Sequence, residues 1–99
     1  MGLDAVGLAP VNEDGQGCRV GGVIKDFLAD CEKNKLLESW EVYMFFGNSG
    51  ANISAERTAV IAERFREWLK DYKLFNFHDA YDIVNFDKFL QWCGGFTII

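Results

Sequence analysis

Between Ser54 and Tyr72, the residues Ile61, Phe65, Trp68, Leu69 and Tyr72 recur at i, i+4, i+7, i+8 and i+11. That spacing lines one side of a helix with 3.6 residues per turn. Glu63, Arg64, Arg66, Glu67 and Lys70 fall elsewhere on the wheel, so the segment predicts an amphipathic helix whose aromatic ridge must be covered. Ser54 is placed to accept from a first-turn amide, and Glu56 adds negative charge at the positive end of the dipole. The rest of the chain is then material to pack on that ridge.

The remaining signals alternate between strand and helix. Leu3 to Ala9 is short, apolar and ended by Pro10, which reads as a strand, and Val11 to Gly17 carries turn chemistry. Val20, Val23, Ile24, Phe27, Leu28 and Cys31 follow the helical rule, predicting a helix over Gly22 to Lys33 with Asn34 as its left-handed stop. Ser39 to Phe46 alternates Trp40, Val42, Met44 and Phe46 against Tyr43 and Phe45, and reads as the best strand of the chain, its second face covered by the fold or by another subunit. Leu74 to Val84 is read as one strand with a polar bend. Asn85 caps a short last helix carrying Phe86, Phe89, Leu90 and Cys93, Gly94 ends it, and Phe96 to Ile99 is a closing strand. The fold class expected is α+β: one domain over residues 1–99, with a small mixed sheet of three to four strands packed by two main amphipathic helices and a short C-terminal one.

Composition narrows the function classes. With 49% apolar residues in 99, the chain has the makings of one core, and no apolar run reaches the ~20 residues that span a bilayer. The first residues lack the basic region and apolar block of a signal peptide, and Gly7 stands where a myristoylation motif wants Ser or Thr, so a cytoplasmic location is expected. Cys18, Cys31 and Cys93 are odd in number and widely spaced, which indicates neither a disulfide framework nor zinc. A net charge of −5, with ten basic residues scattered among fifteen acids, disfavours nucleic acid and suits a basic protein surface.

Four constellations could carry chemistry. The Gly-rich loop Gly47-Asn48-Ser49-Gly50 enters the ridge helix and could hold an anion on its amides with Arg57 nearby, although it matches no nucleotide fingerprint. The stretch Phe77 to Leu90 resembles the closing part of an EF-hand, but puts Lys88 where the bidentate Glu belongs and Asp82 where Gly is required, so no metal is expected. His78 is the single histidine, and Asp79 and Asp82 could orient it toward a cysteine, though no second signature supports a nucleophile. Glu63 with Arg66 and Glu67 with Lys70 are i, i+3 pairs of a solvated face. More telling are three Trp, three Tyr and nine Phe, more than one small core can hide, and aromatics left outside make interface anchors.

At its two ends the chain resembles a group of small, largely uncharacterised phage and prophage proteins that begin Met-Gly-Met-Asp and close with a Phe-Leu helix and Cys-Gly-Gly-Phe. The matching residues are Met1-Gly2-Leu3-Asp4, Gly7, Ala9-Pro10, Asn48-Ser49, and Phe89-Leu90 through Cys93-Gly94-Gly95-Phe96. The resemblance implies a viral origin and brings no catalytic residue. The function expected is therefore a small acidic phage or mobile-element protein, not an enzyme and without cofactor, that binds and inhibits a host protein. A defence system such as a CRISPR effector is the first target to consider. Glu63, Glu67, Asp79, Asp82 and Asp87 are its partner-binding candidates, and a homodimer is left open. The alternative is a phosphate or nucleotide binder built on Gly47, Asn48, Ser49, Gly50 and Arg57.

Overall fold

A computed structural model describes residues 3–47, 50–72 and 77–99. The order of elements is β1 (Leu3–Gly7), a single 3-10 turn (Glu13–Gly15), β2 (Gly17–Val20), α1 (Gly22–Lys33), α2 (Ser39–Phe46), α3 (Ala55–Asp71), α4 (Phe77–Trp92) and β3 (Phe96–Ile98). The class is α+β, as expected. β1 lies between β2 and β3 and runs antiparallel to both, so the described sheet is antiparallel throughout and not the mixed sheet expected. The register sets Ala5 beside Cys18 on one side and Ile98 on the other, while Asp4 opposes Arg19 on the outer face. One sheet face therefore enters the core and the other is wet.

The core is aromatic. Phe27, Phe45, Phe65, Phe86, Phe89 and Phe96 are fully buried, with ring centroids 4.7 Å apart for Phe27–Phe65 and 5.2 Å for Phe65–Phe86. Trp68 and Tyr72, at the far end of the α3 ridge, lie with ring centroids 4.5 Å apart in a tilted pair and are partly covered. The ridge is buried by α1 and α4, and the sheet packs beyond them.

Three element assignments are also corrected. Ser39 to Phe46 is not a strand but α2. Alternation would have grouped Trp40 with Val42, whereas the helix turns Glu41, Val42 and Phe45 inward together, and tertiary contacts override the β-propensity of the segment. Phe77 to Val84 belongs to α4, which continues unbroken through Asn85, so Asn85 caps nothing; Leu74 to Asn76 lie outside the described residues. Gly17 to Val20 is a strand, and Val20, counted among the helical residues, is its buried end.

Helix ends follow local chemistry. Ser54 Oγ accepts the Arg57 amide at 3.2 Å and caps α3, and Gly94, with φ +63°, stops α4. The left-handed residue after α1 is Lys35 (φ +62°) and not Asn34, whose φ is −93°. The amides of Leu36 and Lys35 return to the carbonyls of Cys31 (2.8 Å) and Glu32 (3.1 Å), the closure that normally takes glycine. Lys35→Gly should therefore raise stability by about 0.5–1 kcal/mol, since the relieved left-handed strain of about 1–2 kcal/mol exceeds the added unfolded-chain entropy. Urea unfolding of the two proteins checks it.

Candidate interaction site

Two helix ends and one loop meet at Glu41. α2 places this carboxylate inward, where its side chain is 3% exposed, and α3 brings Arg57 to it in a two-pronged pair at 2.6 and 2.7 Å. Glu41 also accepts the Glu38 backbone amide at 2.9 Å, and Arg57 gives a further hydrogen bond to the Leu36 carbonyl at 3.0 Å. The guanidinium beside Glu41 holds its carboxyl below the usual carboxylate range, and the carboxylate in turn raises the Arg57 pKa. A second fork, Arg64 to Asp30 at 2.8 and 2.9 Å, ties α3 to α1.

That latch fixes which face of α2 is left over. With Glu41, Val42 and Phe45 inward, Trp40, Tyr43 and Phe46 stand outward at i, i+3 and i+6, exposed by 57%, 78% and 43%. The Trp40 indole N–H already donates to Glu38 Oε2, so its ring is held while its apolar face stays open. Beside the outward rings, the last turn of α1 and α2 enclose an open groove of about 440 Å³ lined by Glu32, Ser39, Val42, Tyr43, Phe46 and Gly47.

The acids singled out from sequence are scattered. Glu63 is exposed on α3, Glu67 pairs with Lys70 at 3.1 Å, and Asp79 is half-buried in the first turn of α4. Asp87 meets Arg66 at 3.4 Å and Gln91 at 3.4 Å, so Arg66 reaches across to α4 instead of pairing with Glu63. Asp82 is no surface acid: it is 6% exposed and lies where α4 passes the start of α1. A Cβ at Gly21 would come within 2.2 Å of its Oδ2, and its charge sits at the positive end of a helix that has no capping side chain of its own.

The anion-loop reading loses its cation, because Arg57 is turned to Glu41 and Leu36. Gly47 is exposed and Gly50 has φ +68°, while Asn48 and Ser49 lie outside the described residues. α4 is helical through the residues where an EF-hand loop would have to bend, and no group of three or more metal-ligating side chains occurs among the described residues. His78 is exposed on α4. Burial and the carboxylates of Asp82 and Asp4 push the Cys18 thiol up to about 12, burial with Asp30 does the same for Cys31, and burial raises Cys93. All three thiols are protonated at neutral pH and make poor nucleophiles.

Sequence reasoning placed aromatics outside but could not say which, because the outward set depends on α2 being a helix. Glu41 and Glu38, three residues apart, were the available signal for that helix start. Among the described residues, no helix is long and apolar enough to cross a membrane. Comparison with protein-family models, with curated proteins and with solved structures finds no match to this chain.

Proposed function

We propose that this chain is a non-enzymatic inhibitor that binds a basic surface of a host protein through the outer face of α2. The observation that carries the reading is the exposure of Trp40, Tyr43 and Phe46 on one helix face, next to a core that buries six Phe rings. Large rings left in water at helical spacing are the residue types that dominate binding energy, and a ring already tethered, as Trp40 is by Glu38, loses little freedom on binding. The net charge of −5 favours encounter with a basic partner and repels nucleic acid. The phage resemblance directs the search to bacterial defence proteins, and a CRISPR effector is the first target to assay.

The test is affinity capture of candidate effectors by the full chain and by its Trp40→Ala/Tyr43→Ala variant. Both rings are exposed, so the variant should keep its fold by circular dichroism while binding weakens about tenfold or more. A double variant that binds a captured effector at full strength would remove α2 as the contact. Loss of binding only when Glu63 and Glu67 are neutralised would move the contact to α3.

A further inference from the structure

We infer that the groove between the last turn of α1 and α2 is the seat of an arginine side chain presented by the partner protein. This rests on the reading of α2 as the contact face and names the chemistry of what sits there. The groove walls are apolar, made by Val42, Tyr43 and Phe46, and its single charged lining residue is Glu32. The four ion pairs among the described residues take Glu41, Asp30, Asp87 and Glu67, and they leave Glu32 without a cation. An apolar slot with one unpaired carboxylate at its rim is complementary to a long aliphatic stem ending in a positive charge.

Arginine fits better than lysine on two counts. Its planar guanidinium can fork onto the Glu32 carboxylate, and it stacks on aromatic faces, which Tyr43 and Phe46 provide. A second copy of this chain could offer only its exposed Arg19 and Arg66, because Arg57 and Arg64 are already forked onto Glu41 and Asp30, and a dimer in size exclusion of the pure protein that Glu32→Gln dissolves would replace the partner's arginine with one of these.

The experiment is an amide chemical-shift titration of the full 15N-labelled chain with oligo-arginine, oligo-lysine and oligo-citrulline peptides of equal length. Oligo-arginine is expected to move the amides of Glu32 and of Val42 to Gly47 saturably, oligo-lysine more weakly, and oligo-citrulline not at all. Glu32→Gln should weaken the oligo-arginine response about tenfold, the loss of one charge-assisted pair, and Glu13→Gln, at an exposed acid of the 3-10 turn, should leave it unchanged. Tyr43→Ala should remove the preference for arginine over lysine. Equal response to lysine, response to citrulline, or shifts spread over α3 and α4 and untouched by Glu32→Gln would each overturn the inference. Because no host partner is used, failure here with Trp40→Ala/Tyr43→Ala still weakening capture would sink the arginine seat alone.

Discussion

Phe65→Ala should lower stability by about 3–5 kcal/mol, the largest single effect expected in this chain. Phe65 is fully buried, with its ring 4.7 Å from Phe27, 5.2 Å from Phe86 and 6.2 Å from Trp68 by centroid, so three helices lose contacts at once. The cost combines the lost transfer of the ring with a cavity that rigid neighbouring rings cannot close. A domain of this size has about 5–15 kcal/mol in total, and each kcal/mol moves its midpoint by roughly 4–8 °C, so the thermal midpoint should fall by about 20 °C. Phe65→Leu keeps most of the volume and should cost about 1.5 kcal/mol. Calorimetry of the three proteins checks the ranking, and a Phe65→Ala protein within 5 °C of the parent would mean that the ridge is not the centre of the core.

The same ridge explains what was legible. Ile61, Phe65 and Trp68 repeat at helical spacing behind a serine cap, so local chemistry and tertiary burial agree, and α3 follows from both. α1 is legible for the same reason, with Phe27 and Leu28 on its stripe. Among the α4 side chains described, the inward set runs from Asp82 to Phe86, Phe89 and Leu90, with Cys93 buried just past the helix end, while Tyr81 and Val84 face out. An acid on the buried side and apolar residues on the wet side erase the helical period. Asp82 is buried where α4 passes the start of α1 at Gly21, a non-local fact with no trace in the neighbouring residues. α2 is ambiguous in a different way, since its eight residues satisfy alternation as well as a helix. Glu41 settles it by finding Arg57 sixteen residues later. The candidate site was hidden with it: as a strand the segment hides Trp40 and Phe46, and as a helix it displays them.

Removing Arg57 should reverse the sign of the Glu41 contribution to stability. In the parent protein the guanidinium holds the Glu41 carboxyl below its ordinary range, so this group contributes stability above the unfolded carboxylate pKa and loses it as pH falls through the folded value. Arg57→Met keeps the aliphatic stem but leaves a carboxylate that is 3% exposed with only the Glu38 amide to accept from. Arg57 itself is 41% exposed, so solvent screening trims the loss. About 2–3 kcal/mol at pH 7 is expected, below the range for a fully buried pair. Burial without the cation favours the neutral acid, so in the variant protonation stabilises instead of destabilising. The gap between parent and variant should therefore narrow as pH falls from 7 to about 4, read by urea midpoints at the two pH values. Glu41→Gln in the Arg57→Met background removes the stranded charge and should restore about 1 kcal/mol or more at pH 7. A gap independent of pH would show that Arg57 acts through packing and its bond to Leu36 alone, and the latch orienting α2 would then be steric instead of ionic.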